Sequence, residues 1–317
     1  MAKSDQTDLR PMRDSGSRVE PPVAYETRRG KMYHGSLEAF VESGLADRYM
    51  GKVQLIFSSP PFPLNRKKKY GNLIGEEYIN WLSSFASTFR RLLKPHGSIV
   101  MEVGNSWVSG KPVMSTLALE TLLRFLKDGE FHLCQQFVCN NPARLPSPAQ
   151  WVNVERIRVK DSFTHVWWMS KSERPKADNR KVLKEYSSSM IKLLRTQKYN
   201  CGTRPSGHNI GETSFLKDNR GAIPSNVITI ANTNSNSDYL DYCRNNSIQL
   251  HPARMQPELV DFFIRFLTSS RELVFDPFAG SNTTGAVAER LKRRWISLDL
   301  QNDYVRGSRG RFQGLIL

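Results

Sequence analysis

Apolar residues along this 317-residue chain alternate between short continuous runs and longer stretches with helical spacing. The runs predict buried strands, and the spaced stretches predict helices that turn one face to a core. The predicted strands span residues 53–57, 98–103, 131–139, 163–169, 272–275 and 295–298. The predicted helices span residues 78–93, 116–127, 257–267 and 283–292. A further short strand from Met32 leads into a helix near Glu38. Alternating strands and helices of this kind indicate an α/β fold.

Changes in composition divide the chain into five parts. Residues 1–30 are polar and lack the apolar segment of a secretion signal, so they predict a disordered tail. Residues 31–170 and 250–305 hold the strand and helix patterns. Residues 171–249 are rich in Lys, Arg, Ser, Asn and Gly, which predicts a separate lobe, with a disordered linker as the alternative. Residues 306–317 form a basic tail, and no apolar stretch in the sequence is long enough to span a bilayer.

The first predicted strand, residues 53–57, runs into Ser59-Pro60-Pro61-Phe62. Two prolines fix φ twice and remove two N–H donors, so the strand stops and the nearby carbonyls point in fixed directions. A hydroxyl precedes this corner and an aromatic ring follows it. Because ligands of open α/β sheets bind at the carboxyl ends of strands, the corner is a candidate site. The alternative is a turn with a capping Ser and a core Phe.

A strong positive charge accompanies this corner. The chain has 46 Lys and Arg against 30 Asp and Glu, which gives a net charge of +16. This charge predicts a nucleic-acid partner, because cations that neutralise phosphates release counterions. Arg66, Lys67, Lys68 and Lys69 form a local cluster directly after the corner. A charge run is commonly a solvated loop, but its position here favours a loop that contacts phosphates.

A second candidate site follows the strand at residues 272–275 and reads Asp276-Pro277-Phe278-Ala279-Gly280-Ser281. Gly280 permits a sharp turn and a close backbone approach to a ligand. Asp299 ends the next strand about 20 residues beyond the turn, where an acid reaches ribose hydroxyls. A single glycine and the acidic Asp276 do not suit a pyrophosphate. S-adenosylmethionine, which carries a ribose, an ammonium and a sulfonium, fits better; the alternative is a core βαβ element with a structural Asp.

Together the two motifs resemble those of the permuted, β-class DNA amino-methyltransferases, and the likeness runs from about Lys31 to Tyr304. In that family a Ser/Asp-Pro-Pro-Tyr/Phe catalytic motif comes first, a target recognition region next and the cofactor motif last. The resemblance implies a Rossmann-like methyltransferase sheet with helices on both faces. It also implies a catalytic half at residues 31–170, a target recognition region at residues 171–249 and a cofactor-binding half at residues 250–305. One departure is that Gly35 is followed by Ser36, where many members have Asp.

Residue roles follow from the same resemblance. Ser59, Pro60, Pro61 and Phe62 correspond to the catalytic motif, and Arg66 to Lys69 are expected to contact DNA. His251, Pro252 and Ala253 resemble the segment ahead of the cofactor motif, whose helix helps hold methionine. The residues expected to bind S-adenosylmethionine are His251, Pro252, Ala253, Asp276, Pro277, Phe278, Ala279, Gly280, Ser281 and Asp299. Candidates for base recognition in the middle lobe are Arg180, Arg195, Arg204 and Arg220.

A Ser in the first motif position goes mostly with cytosine-N4 targets, as in the Pvu II-type enzymes, and an Asp more with adenine-N6. The resemblance therefore implies methylation of cytosine N4 in double-stranded DNA, with base flipping, in a prokaryotic cytoplasm and near the nucleoid. It implies a restriction endonuclease of the same specificity as a possible partner. Adenine-N6 methylation, an RNA substrate and an inactive DNA-binding protein of the same fold are the alternatives.

The cysteines narrow the chemistry further. Cytosine-C5 methylation needs a Cys nucleophile, typically one that follows Pro. None of the four cysteines follows a Pro, and none belongs to a Cys-x-x-Cys pair that would suggest zinc. They are Cys134, Cys139, Cys201 and Cys243. The sequence thus argues against both C5 chemistry and a zinc site.

Overall fold

The computed structural model describes residues 19–62, 73–231 and 237–317, which contain a nine-stranded sheet and a two-stranded ribbon. The strands are β1 (Val23–Glu26), β2 (Gly30–His34), β3 (Val53–Ser58), β4 (Leu93–Gly104), β5 (His132–Asn140), β6 (Phe163–Ser170), β7 (Gly202–Thr203), β8 (Asn209–Ile210), β9 (Val227–Thr229), β10 (Leu273–Asp276) and β11 (Arg294–Asp299). The order across the large sheet is β1-β2-β11-β10-β3-β4-β6-β5-β9, and β7 pairs with β8. The five strands from β2 to β4 in this order run parallel.

Helices cover both faces of the sheet, as predicted. They are α1 (Leu37–Glu42), α2 (Gly75–Ser84), α3 (Ala86–Leu92), α4 (Leu117–Gly129), α5 (Ser188–Thr196), α6 (Asp238–Asn245), α7 (Pro257–Leu267), α8 (Thr283–Arg290) and α9 (Asn302–Ser308). Phe40, Leu82, Phe89 and Phe125, from α1 to α4, belong to one buried cluster. The apolar side chains of α7 and α8 belong to a second cluster on the other face. The apolar spacing of residues 257–267 therefore predicted both the helix and its buried stripe.

The strand order creates a crevice between β3 and β10. The chain leaves β3 for β4 on one side, and it leaves β10 for β11 on the other. Because these strands are parallel, their carboxyl ends lie at the same edge of the sheet. Such a reversal is the place where open α/β sheets bind ligands. Both sequence motifs begin at this edge, since Ser59 follows β3 and Asp276 ends β10.

The prediction of one continuous helix at residues 78–93 is wrong, because this stretch forms two helices, α2 and α3, and the first residue of β4. Phe85 has φ −85° and ψ −8°, and its N–H donates to Leu82 O, which ends α2 and separates it from α3. β4 then begins already at Leu93, which pairs with Val53. The register next places Leu55 opposite Ser98, so residues 94–97 form an irregularity in the strand. Proline cannot donate to a ladder, and this irregularity accommodates Pro95 within a strand rather than after a helix.

The tail predicted at residues 1–30 ends earlier than expected. Residues 1–18 lie outside the described residues, but Val23–Glu26 forms β1 at the edge of the sheet. Tyr25 is buried, and its hydroxyl lies 2.6 Å from Ser308 Oγ and accepts a hydrogen bond from Asn282 Nδ2 at 3.0 Å. Burial raises the pKa of Tyr25 to about 12. The segment is fixed by contacts with residues more than 250 positions away, which composition alone does not reveal.

The middle of the chain contributes little regular structure. Within residues 171–231 the structure describes α5, the short ribbon and β9, which pairs with β5 at the sheet edge. The predicted division into a catalytic half, a recognition region and a cofactor half stays a prediction. The basic segment after residue 306 is not a loose extension, because Phe312 is fully buried against Trp295. No helix in the described parts of the chain is long and apolar enough to cross a membrane.

The docking of β1 can be tested with Tyr25→Phe. We expect the free energy of unfolding to fall by about 1–3 kcal/mol, because the change leaves buried polar groups of Asn282 and Ser308 without this partner. Tyr186→Phe is the matched control, since the Tyr186 hydroxyl bonds to Asp218 on the surface and its loss should cost less than about 0.5 kcal/mol. Denaturant titration of both variants measures the difference. Equal stability of Tyr25→Phe and the control would contradict the docked strand.

Candidate active site

A single cavity lies at the crevice between β3 and β10. It is lined by all of the residues predicted for catalysis and cofactor binding: Ser59, Pro60, Pro61, Phe62, His251, Pro252, Ala253, Asp276, Pro277, Phe278, Ala279, Gly280, Ser281 and Asp299. The two motifs are more than 200 residues apart in sequence, and parallel strand pairing brings them together. Their proximity makes one joint site possible. The predicted DNA-contacting residues Arg66, Lys67, Lys68 and Lys69 lie outside the described residues.

The two halves of the site are joined by Asp276. This carboxylate is 3% exposed, and it accepts hydrogen bonds from Ser58 Oγ at 3.0 Å, Thr284 Oγ1 at 2.6 Å and the backbone N–H of Phe278 at 3.1 Å. Burial disfavours the charged form of the carboxyl group and raises its pKa to about 6. At neutral pH the group is still ionised. Ser58, rather than Ser59, provides the bond across the crevice. Asp276 therefore ties β3 to β10.

The diproline corner is set by close packing on β4. Ser59 is partly buried and faces the cavity, while Pro60 is buried. The ring of Phe62 lies directly against Gly104, where a Cβ atom would stand only 2.4 Å from Phe62 Cε2. A side chain at position 104 would thus displace the ring. Glycine at the end of β4 allows an aromatic face to sit beside the corner.

The turn after β10 is held by Asp299 and His251. Gly280 has φ +52°, a conformation that favours glycine, and its N–H donates to Asp299 Oδ2 at 2.7 Å. Asp299 Oδ1 accepts a second bond from the Gln301 N–H at 2.8 Å. Burial raises the pKa of Asp299, and these two N–H groups oppose that rise. A Cβ atom at Gly280 would lie 2.8 Å from His251 Nε2, so the imidazole closes over the turn.

His251 is a neutral side chain in this site. Burial lowers its pKa to about 4, so the imidazole carries no charge at neutral pH. Its Nδ1 accepts the backbone N–H of Ala253 at 3.3 Å, which leaves the ring proton on Nε2. The ring also packs edge-on against Tyr304, with centroids 4.4 Å apart. His251 thus presents an N–H donor at the side of the cavity.

Sequence reasoning missed a wall built by Glu38 and Trp81. Both residues line the cavity, and Trp81 Nε1–H donates to Glu38 Oε1 at 2.7 Å. The indole also packs on Phe278, with centroids 5.4 Å apart. Ser36, the departure from the family pattern, caps α1 by accepting the Ala39 N–H at 3.1 Å. The apolar spacing of residues 78–93 placed Trp81 on a buried face, but no local signal paired it with Glu38.

The charge of the cavity is opposite to that of the whole chain. Its described lining includes the carboxyl groups of Glu38, Asp276 and Asp299 and no Lys or Arg. A phosphate would be repelled by such a lining, whereas a cationic ligand would be attracted. The apolar surfaces of Phe278, Trp81 and the prolines suit a flat ring. The site therefore fits a ligand with a ring, hydroxyl groups and positive charge.

Comparisons with known proteins agree with this geometry. The family model described as "DNA methylase" matches residues 53–309. The type II methyltransferase M.PvuII of Proteus hauseri is 46% identical over 291 residues, covering 91% of this chain and 85% of the relative. The chain belongs to the DNA methylase family. The type II methyltransferase M.BglII of Bacillus subtilis is 24% identical over 279 residues, covering 87% of this chain and 66% of that relative.

The fold of this DNA methylase also matches that of a solved structure. The structure titled PvuII DNA methyltransferase (cytosine-N4-specific) superimposes with a TM-score of 0.73 and 39% identity. The superposition covers 92% of this chain and 89% of the other. The predicted methyltransferase sheet is thereby confirmed. The roles of individual residues in this DNA methylase stay predictions.

Gly104→Ala should impair the corner of this DNA methylase without unfolding it. The new methyl group would push the Phe62 ring aside, and a misplacement of about 1 Å at a reacting centre can cost about 100-fold in rate. We expect the methylation rate at saturating cofactor to fall toward that level while cofactor affinity stays near wild type. Single-turnover kinetics and calorimetry measure the two quantities.

The Phe62→Ala background provides the control for this prediction. If Gly104→Ala acts by displacing the ring, it should add little once the ring is gone, because contacting residues do not act additively. Fully additive effects in the double variant would contradict the proposed packing.

Proposed function

We propose that this DNA methylase transfers a methyl group from S-adenosylmethionine to the exocyclic N4 amine of cytosine in double-stranded DNA. The observation that carries the proposal is the single cavity, which brings the diproline corner and the Gly280 turn to one sheet edge. Ser59 in the first motif position and the printed specificity of the PvuII relative favour cytosine N4 over adenine N6. Adenine-N6 methylation is the second candidate, because the DNA methylase model that matches residues 53–309 does not distinguish cytosine-N4 from adenine-N6 enzymes.

The cavity suits S-adenosylmethionine as the methyl donor. Asp299 would accept hydrogen bonds from ribose hydroxyls, and the acidic lining would favour the ammonium and sulfonium charges. Gly280 and its neighbours would lie against the ligand, since the turn lines the cavity and Gly280 itself adds no side chain to it. Phe278 and Trp81 offer apolar surface to the adenine ring. When bound, S-adenosylmethionine supplies a methyl group on a positively charged sulfur, which is the electrophile of the reaction.

The corner residues would prepare the amine for methylation. The lone pair of a cytosine amine is delocalised into the ring, which makes the nitrogen a poor nucleophile. The Ser59 hydroxyl and the Pro60 carbonyl would accept its two hydrogens and direct the lone pair toward the methyl group. These acceptors bind more strongly as the nitrogen becomes cationic, so they stabilise the transition state more than the ground state. Phe62 would stack on the flipped base, a contact worth roughly 1–3 kcal/mol.

DNA binding would use surfaces outside the cavity. The cluster from Arg66 to Lys69 directly follows the corner in sequence, where phosphates beside a flipped base would lie. Arg180, Arg195, Arg204 and Arg220 remain candidates for base recognition, because Arg on guanine is the commonest specific contact in the major groove. Action on chromosomal DNA in a prokaryotic cytoplasm, beside a restriction endonuclease of the same specificity, is part of the proposal.

The product distinguishes the candidate functions. Purified protein is incubated with unmethylated plasmid and S-adenosylmethionine, and the nucleosides are then resolved by mass spectrometry. We expect N4-methylcytosine, with neither N6-methyladenine nor 5-methylcytosine. N6-methyladenine would replace the proposal by its second candidate. An unmodified plasmid, together with methylated RNA in a parallel reaction, would refute DNA as the substrate. Sequencing of the modified plasmid then gives the target site.

Ser59→Ala tests the role of the corner hydroxyl. We expect the rate of methyl transfer to fall by about 100-fold, because one acceptor of the developing charge is lost. Cofactor affinity should stay within about twofold, since Ser58 and not Ser59 makes the bond to Asp276. Single-turnover rates and calorimetric titration with S-adenosylmethionine measure both. Ser84→Ala, which changes an exposed serine on α2, is the control; a wild-type rate in Ser59→Ala would remove Ser59 from the mechanism.

A further inference from the structure

The carboxyl-terminal segment packs against the cofactor side of the cavity. After α9 a 3-10 helix spans Arg309–Phe312, and Phe312 stacks on Trp295 with centroids 5.0 Å apart. Gly310 permits close contact with α6, because a Cβ atom there would lie 2.5 Å from Tyr242 Cβ. The segment is therefore anchored by apolar packing on both sides of Arg311.

Arg311 reaches from this segment to the turn after β10. Its Nε–H donates to the Ser281 carbonyl at 2.7 Å, and its Nη2 donates to Ser281 Oγ at 3.1 Å. The guanidinium also lies 4.9 Å from the ring centre of Tyr239 in α6. Two parallel bonds to one residue use the planar fork of arginine, which lysine cannot reproduce. The Ser281 turn is thus held in both position and orientation.

The same side chain is connected to a second segment of the cavity wall, which contains His251. Tyr239 is fully buried, and its hydroxyl accepts the backbone N–H of His251 at 3.0 Å. Ser281 and His251 both line the cavity. Arg311 therefore contacts Ser281 directly and His251 through Tyr239. One guanidinium sets the spacing between two segments that were each predicted to bind the cofactor.

The partial burial of Arg311 needs a reason beyond packing. Removal of a guanidinium from water is costly, and burial lowers the pKa of Arg311. Arg254 lies close enough to repel it. The fold has apolar anchors in Phe312 and Tyr242, so an apolar side chain at position 311 could fill the same space at lower cost. Both of its hydrogen bonds are made to Ser281, which lines the cavity.

We infer that Arg311 is a positioning residue of the cofactor site, which holds the Ser281 turn and the His251 segment in the places where both line the cavity for S-adenosylmethionine. The inference rests on the proposed function, because it assumes that S-adenosylmethionine is the ligand. It gives the basic carboxyl-terminal segment a role that its sequence alone did not suggest. Arg311 acts through Ser281 and Tyr239 and does not itself line the cavity.

Arg311→Met and Arg311→Lys test this inference. We expect the Kd for S-adenosylmethionine to rise about tenfold or more in Arg311→Met, because the turn loses both donors. Arg311→Lys, which keeps the charge and one donor, should recover part of the affinity. The KM for S-adenosylmethionine should rise while kcat at saturation stays within about threefold of wild type. Arg306→Met, in the preceding helix α9 and paired on the surface with Asp303, should leave all of these within about twofold.

A merely structural role for Arg311 predicts a different result. In that case Arg311→Met would lower the melting temperature and the active fraction, while the folded enzyme kept the wild-type Kd and KM. Titration calorimetry on the folded fraction, quantified by circular dichroism, separates the two outcomes. A wild-type Kd in folded Arg311→Met would overturn the inference. Should Arg311→Met not fold, Arg311→Lys decides the question by the same criterion.

A double-mutant cycle with Ser281→Ala completes the test. Because Arg311 donates to Ser281 Oγ, the two substitutions should together raise the Kd by less than the product of their separate effects. Independent effects would contradict action through Ser281. Failure of the wild-type protein itself to bind S-adenosylmethionine would refute the proposed function, whereas a wild-type Kd in the variants would refute only the inference on Arg311.

Discussion

The buried carboxylate of Asp276 is the constraint on which the site depends. It receives hydrogen bonds from β3, from the start of α8 and from its own turn, through Ser58, Thr284 and Phe278. Burial raises its pKa to about 6, so the folded state must provide all three donors to keep the charge in place. Because Ser58 immediately precedes the diproline corner, this joint fixes the distance between the corner and the Gly280 turn. Parallel pairing aligns β3 with β10, and the hydrogen bond from Ser58 to Asp276 connects their carboxyl ends.

Two opposite charge environments result from this arrangement. The chain carries a net charge of +16, yet the described lining of the cavity contains carboxyl groups and no Lys or Arg. A polyanion is therefore attracted to the molecule but not into the pocket, while a cationic ligand is attracted into it. Under the proposed function, a neutral base removed from the duplex would approach the bound cation without this repulsion. The electrostatics thus separate the two substrates before any specific contact forms.

Local sequence rules predicted the elements that depend on neighbours in sequence. The buried run at residues 53–57, the proline corner and the Gly280 turn are set by residues within a few positions, and both motifs could be placed on strand ends. The rules failed where the determining contact is distant. Val23–Glu26 is a strand because Tyr25 bonds to Asn282 and Ser308, and the helix at residues 78–93 breaks at Phe85 within a continuous apolar pattern. Glu38 is held by Trp81, and Arg311 is held by Ser281. No pattern in the sequence indicates either pair.

Both ends of the described chain meet at the turn that would hold the cofactor, where Asn282 has a backbone conformation that needs support. Gly280 and Asn282 both have φ +52°, and for Asn282 this left-handed conformation costs energy unless neighbours stabilise it. Asn282 is held by Tyr25 from the amino-terminal strand and by Ser297 of β11. Ser281, between these two residues of positive φ, is held by Arg311 from the carboxyl-terminal segment. A turn that lines the cavity is thus stabilised from outside, by Tyr25 near the start of the described chain and by Arg311 near its end.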